Sequence, residues 1–278
     1  MIDQVDRLIA LALEEDLGSA GDVTSQALVP ADQQGSAEFL AKEPLVLAGT
    51  DVVRRVFRAV DPAVVVTFSA ADGASIRDRQ VFGAVTGSLR SILVGERTAL
   101  NFVQRLSGVA TNTARTVKAL EGTRLKVLDT RKTTPGWRAI EKAAVRAGGG
   151  TNHRFGLFDG VLIKDNHIAA VGSIGEAVRR ARAAAHHLMK VEVEVVDLKG
   201  VDEALAAGAE VLLLDNMDTP TMKKAVEKIA GRAKTEASGG IKLERLAEIG
   251  GAGVDFVSMG ALTHSSRGVD ISLEVQSA

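Results

Sequence analysis

Hydrophobic positions change their period twice along this chain. Ile2, Val5, Leu8, Ile9 and Ala12 recur at helical spacing and Gly18 supplies a stop, which predicts an opening amphipathic helix. Short strand-like runs follow at 37–41, 45–48, 64–69 and 81–93, with a helix over 51–60 behind the N-cap candidate Thr50. A long helical pattern then runs from Glu96 to about Leu120, interrupted near Ser107 and Gly108. These elements predict a small α+β domain over residues 1–108, sandwich-like in character.

From about residue 124 the rhythm becomes one of short apolar strands alternating with helices. Strands are expected at 125–128, 160–163, 191–195, 211–214, 235–237 and 254–257, and helices at 136–147, 174–187, 202–207, 219–230 and 243–249. Such alternation implies parallel strands joined by right-handed crossovers. Six strands suit an incomplete parallel α/β barrel over residues 109–266 better than a closed eight-stranded one. The last stretch, 269–275, alternates like a strand, and residues 267–278 are assigned a return to the first domain.

Composition narrows the function classes. The chain has 278 residues, 46% of them hydrophobic, enough to fill a real core. A net charge of -1 and only 3% aromatic residues provide neither a basic field nor a stacking surface for nucleic acid. The absence of cysteine excludes disulfides, thiolate metal sites and cysteine nucleophiles, and fits a reducing cytoplasm. Asp3, Asp6, Glu14, Glu15 and Asp16 make the start acidic, unlike a signal peptide, and no apolar run approaches the roughly 20 residues needed to span a bilayer. A cytoplasmic protein with no membrane partner is the expectation.

Polar residues gather where the barrel strands end: Asp129 to Lys132, Lys164 to Asn166, Glu194, Asp215, Ser238 to Gly240 and Ser258 to Gly260. In barrels that carboxyl rim carries the active site. The alternation in Val191-Glu192-Val193-Glu194-Val195 would ordinarily put its glutamates in water. A parallel strand covered by helices has no wet outer face, so Glu192 and Glu194 are expected inside the barrel, near a ribose, a metal or Lys190. Asp215 ends the next strand and could join Glu194 on a metal through water, or simply cap a helix. The pairs of glycines after the last two strands either cradle a phosphate or make tight turns. No P-loop and no GxGxxG follows a strand.

Three strings, DTRKTTPG from Asp129, GGGTNHRFGLFD from Gly148 and LIKDNH from Leu162, closely resemble the quinolinate phosphoribosyltransferase family, with a weaker anchor in ERTALN from Glu96. Trp137 stands where the family motif usually carries leucine and is read as packing. The resemblance implies that quinolinate and phosphoribosyl pyrophosphate give nicotinate mononucleotide, pyrophosphate and CO2, with Mg²⁺, in NAD biosynthesis. Carried onto matching positions, Arg97, Arg131, His153, Arg154 and Lys164 would surround the dicarboxylate, with Thr130 beside them and Lys132 near it or the pyrophosphate. Glu194 and Asp215 would contact the ribose and, indirectly, its metal; Ser238, Gly239, Gly240, Ser258, Met259 and Gly260 would hold the 5′-phosphate. Lys132, Lys164, Glu194 and Asp215 are the expected catalytic residues. The family further implies a homodimer in which Arg97 reaches the partner's site, with a higher assembly left open.

The residue types suit this chemistry, since Arg, Lys and protonated His are the groups that hold paired carboxylates. Rival readings are a Schiff-base aldolase using Lys132 or Lys164, a paralogue associated with molybdenum uptake, and a non-catalytic phosphate or dicarboxylate sensor. The first explains the several cations less well. The last has no need of Glu194, Asp215 and both lysines.

Overall fold

The computed structural model describes residues 3–276, so Met1 and Ile2, the latter counted in the opening periodicity, lie outside the described residues. The chain forms two compact units. One comprises Met1–Ala114, Thr133–Gly149 and Ala261–Ala278; the other comprises Arg115–Lys132 and Gly150–Gly260.

The first unit begins with α1 (Gln4–Leu17), capped by Asp3 and stopped at Gly18, and burying Ile9 and Leu13. A short α2 (Val23–Leu28) follows, which the sequence pattern did not reveal. Four strands build an antiparallel sheet in the order β12-β1-β5-β3: β1 (Gln34–Ala41), β3 (Val65–Phe68), β5 (Val81–Ser88) and β12 (Ile271–Val275). The chain's last strand therefore lies antiparallel to its first, with Phe39 opposite Leu273. Phe39, Phe68 and Phe82 cluster with ring centroids 5.4–6.2 Å apart, and a two-stranded pairing of β2 (Leu45–Val46) with β4 (Ser75–Ile76) completes the strands.

Three local expectations are corrected here. The helix α3 (Thr50–Val60) begins one residue earlier than predicted; its N-cap is Gly49 at φ 99°, and Thr50 is its first residue. The Asp72 carboxylate accepts from the Gly49 and Thr50 amides at 2.9 and 3.1 Å, doing from a distance what Thr50 was expected to do. The strand expected over 81–93 ends at Ser88, where α4 (Leu89–Lys118) begins. That helix runs through Ser107 and Gly108 without a break. Gly108 is there because a Cβ would stand 2.0 Å from the Arg267 carbonyl oxygen, and Ser107 bonds both the amide and the carbonyl of Ala48, at 3.0 and 3.2 Å. What read as a helix breaker is a point of close backbone approach.

The segment holding α5 (Arg138–Ala147) was expected within the barrel but groups with the first unit. Its Glu141 is fully buried and accepts from Arg105 at 3.0 Å, and Trp137 stacks on Phe102 at 4.7 Å, as a packing residue would. The first unit runs to Ala114 and takes in residues 133–149.

The second unit is a six-stranded parallel sheet in the order β7-β8-β9-β10-β11-β6. Its strands are β6 (Lys126–Leu128), β7 (Val161–Ile163), β8 (Val191–Val195), β9 (Val211–Asp215), β10 (Lys234–Ser238) and β11 (Phe256–Ser258). Around it run α6 (Asp165–Val171), α7 (Ile174–Ala184), α8 (Leu198–Ala206), α9 (Thr219–Ile229) and α10 (Leu246–Gly251); the short α11 (Ala261–His264) belongs to the first unit. The helix α6 is additional to the expected helices. The barrel is incomplete. β6 and β7 do not pair; the free edge of β6 instead takes one bridge from Thr151, whose amide bonds the Val127 carbonyl at 2.9 Å. Among the described residues, no helix is long and apolar enough to cross a membrane.

Candidate active site

Register decides which side chains face inward. Leu162 is paired with Glu192, Glu194 with Leu213, and Leu213 with Glu236 across β7 to β10. Side chains two apart share a face, so Lys164, Glu192, Glu194, Glu236, Ser238 and Ser258 fall on one side of the sheet. With Thr130, Arg131, Lys132, His153, Arg154, Leu162 and Leu213 most of them line a cavity of about 310 Å³. Nine residues expected at the site from sequence meet in it: Thr130, Arg131, Lys132, His153, Arg154, Lys164, Glu194, Ser238 and Ser258.

Two loops carry most of the cations, and Lys164 follows β7 directly. After β6, Lys132 turns back so that its amide bonds the Thr130 hydroxyl at 3.0 Å. The second loop follows the three glycines and is held by Asp129, wholly buried, which accepts from the Asn152 side chain at 2.5 Å and the His153 amide at 2.8 Å. Arg154 is anchored by a 2.7 Å bond from Nη1 to the Gly160 carbonyl, while its Nε is buried with no partner. Burial first, then the neighbouring Arg131 charge, pulls the Arg154 guanidinium below its ordinary pKa, against the opposing pull of Glu192 and Asp159. An anion in the cavity would relieve both costs.

His153 is tied to its own loop and turned toward two buried carboxyls. Its Nδ1 accepts the Arg154 amide at 2.7 Å, so the proton sits on Nε2, which faces Glu192 at 3.1 Å and Glu236 at 3.7 Å. Glu192 lies inside the barrel as expected but meets His153, not Lys190. Glu194 pairs with Lys164 at 3.0 Å.

Other expected residues stand apart. Asp215 lines a neighbouring acidic cavity of about 550 Å³ with Glu194, Asp165 and Asp197, and is bonded by Asn216 at 2.7 Å. Gly239 and Gly240 adopt φ of 97° and 55°, and a Cβ on Gly239 would stand 2.2 Å from Asn216 Oδ1. Met259 departs from its expected phosphate role: its side chain is buried and its amide is spent on the Leu128 carbonyl at 3.0 Å. Gly260 does not line the main cavity, and Arg97 lies on α4, in the first unit.

Sequence reasoning missed Glu236. It is 2% exposed, and burial, then the Glu192 charge, pushes its carboxyl up to about 7 against the opposing pulls of His153 and Ser258. It stands mid-strand and not at a strand end, where the other polar groups of the site gather. Its signal was parity, since it lies two residues before Ser238 and so on the same face.

Comparison with known proteins settles the family. The model of the quinolinate phosphoribosyl transferase N-terminal domain matches residues 22–107, and that of the C-terminal domain matches residues 109–274. The chain belongs to the quinolinate phosphoribosyltransferase family. It is 45% identical over 272 residues to a probable carboxylating nicotinate-nucleotide pyrophosphorylase of Bacillus subtilis, covering 98% of this chain and 93% of that one. The Mycobacterium leprae carboxylating nicotinate-nucleotide pyrophosphorylase is 46% identical, covering 96% and 95%. The solved nicotinate-nucleotide pyrophosphorylase of Francisella tularensis superposes with a TM-score of 0.94 at 39% identity, over 99% of this chain and 98% of that one. Family membership and the cationic cavity point to the same chemistry.

Proposed function

We propose that this chain is a decarboxylating phosphoribosyltransferase that joins quinolinate to phosphoribosyl pyrophosphate, releasing pyrophosphate and CO2 and leaving nicotinate mononucleotide for NAD biosynthesis. The observation that carries the reading is the cavity in which Arg131, Lys132, Arg154 and Lys164 converge on a space of about 310 Å³. Paired carboxylates on a flat ring are the ligand that several fixed cations can hold at once. Arg131 and Arg154 orient the dicarboxylate, so that the ring nitrogen meets C1 of the ribose. Positive charge grows on the sugar as pyrophosphate departs, and Glu194 stabilises it.

Mg²⁺ is part of the same proposal. Glu194 and Asp215 supply hard oxygen donors on one cavity wall, and with Glu194 already paired to Lys164 they suit a water-mediated ion. When bound, the ion neutralises the leaving pyrophosphate. Ser238 and Ser258 take the 5′-phosphate, helped by the left-handed turn at Gly239 and Gly240. A cytoplasmic homodimer with Arg97 completing the partner's site is proposed from family resemblance.

The test is an assay of the purified protein with quinolinate, phosphoribosyl pyrophosphate and Mg²⁺, with nicotinate offered in parallel. Nicotinate mononucleotide from quinolinate alone supports the reading. No product from either acid, with the chain folded, sinks it in favour of the molybdenum-associated paralogue or a sensor.

A further inference from the structure

We propose that Glu236 is the acid that delivers a proton to the ring carbon from which CO2 departs, an assignment that rests on the decarboxylating reaction above. When the C–C bond breaks, CO2 leaves and its electron pair stays on the ring carbon beside the cationic nitrogen. That pair takes the proton of the Glu236 hydroxyl, the O–H electrons remain on the carboxylate, and solvent reprotonates Glu236 after product leaves. Atoms and charge balance without an oxidant or a further co-reactant.

Three observations support the assignment. Glu236 lines the cavity, at mid-strand, in the register of Leu213, while the cations of the rim stand on the loops and strand ends. Its Oε1 is buried without a hydrogen-bond partner, a costly state that a ligand in the cavity could relieve. An anionic Glu236 would also repel the dicarboxylate that the surrounding cations collect, whereas the neutral acid would not. Its carboxyl stands at about 7, so the proton is present near neutral pH and can still be given up.

Apart from Lys132, the other proton carriers facing this space are committed. Arg131 and Arg154 do not deprotonate. Lys164 is paired with Glu194 at 3.0 Å. The Nε2 proton of His153 faces Glu192 at 3.1 Å, and its Nδ1 lone pair is taken by the Arg154 amide. The groups bearing on the Glu236 carboxyl are Glu192 from β8, His153 from the glycine loop and Ser258 from β11. Lys132, at the exposed end of the cavity, is the competing donor.

The experiment compares wild type with Glu236→Gln and Glu236→Asp in the presence of both substrates and Mg²⁺, reading single-turnover rate, quinolinate KM and the pH profile. The wild-type rate should fall as pH rises through about 7, the Gln variant should be slower by about 100-fold and lack that limb, and KM should move by less than about threefold. Aspartate, which restores an acid, should restore the limb. A Gln variant with unchanged rate and the same alkaline limb would overturn the proposal in favour of Lys132. A rise in KM with rate preserved would also overturn it and make Glu236 a binding contact. Calorimetric titration of the Gln variant with quinolinate separates loss of the proton from loss of the fold. A wild type that makes no product defeats the reaction itself, whereas an active wild type with an indifferent Gln variant defeats this assignment alone.

Discussion

Glu141 and Glu236 are both buried carboxyls, one in each unit, and they are treated in opposite ways. Glu141 receives the Arg105 guanidinium at 3.0 Å, the Thr134 hydroxyl at 2.9 Å and the Thr134 amide at 3.0 Å, so both oxygens are satisfied. Arg105 in turn bonds the carbonyls of Thr263 and Ser266. Glu236 has a second carboxyl for a neighbour, a histidine at 3.7 Å, and one oxygen with no partner. A scaffold satisfies the groups it buries, whereas a site keeps some in a costly state because chemistry needs them there.

Breaking the satisfied side should have the largest effect. Arg105→Ala leaves Glu141 buried and uncompensated, which costs about 3–5 kcal/mol and should lower the melting temperature sharply. Replacing both residues by leucine should cost less than the single change, because no stranded charge remains; a double variant as unstable as the single would mean the network contributes more than charge compensation. In the other unit, Arg154→Ala should cut kcat/KM for quinolinate by about 100- to 1,000-fold, or about 3–4 kcal/mol, through loss of carboxylate binding. Its melting temperature should hold or rise, since an arginine with a buried unpartnered Nε is removed. Activity within threefold of wild type would contradict the assigned role.

The same contrast explains what could be read from sequence. Barrel strands announce themselves by apolar runs, and the rim cations by the strings around Arg131, His153 and Lys164, because both depend on local order along the chain. Ser107 and Gly108 were misread as a helix break since their cause, the backbone of Ala48 and Arg267, lies 59 residues away in one case and far along the chain in the other. Thr50 was misplaced as a cap for a similar reason: Asp72, 22 residues on, does the capping. Met259 was drawn into the site by its neighbours, although its amide is committed to the sheet. Glu236 escaped because its neighbours Glu192 and His153 come from β8 and the glycine loop, distant in sequence and not paired with β10.

A smaller effect would sharpen the comparison through pH. Raised from 4.5 to about 7, the Glu236 carboxyl binds its proton more tightly in the folded chain than in the unfolded one. Stability from this group is therefore full below pH 4.5 and lost as pH rises through about 7, an upper bound of roughly 3 kcal/mol. Glu236→Gln should gain melting temperature relative to wild type on going from pH 5 to pH 8. Taking the difference between two pH values cancels whatever the new amide costs in its pocket. A gap that is the same at both would show that Glu236 titrates normally.

The smallest effect returns to the scaffold, where a carboxylate again serves only the backbone. Asp72 accepts the two amides at the start of α3, so Asp72→Ala should cost about 1 kcal/mol in denaturant unfolding and leave kcat/KM alone. Asp129 makes the matching bonds in the second unit, to the His153 amide and the Asn152 side chain, but the backbone it fixes carries site residues. Asp129→Ala should therefore lower kcat/KM as well as stability. If both aspartates affected stability alone, the glycine loop would be placing His153 and Arg154 without Asp129, and the division between a satisfied scaffold and a strained site would have to be drawn at Arg154 and Glu236 only.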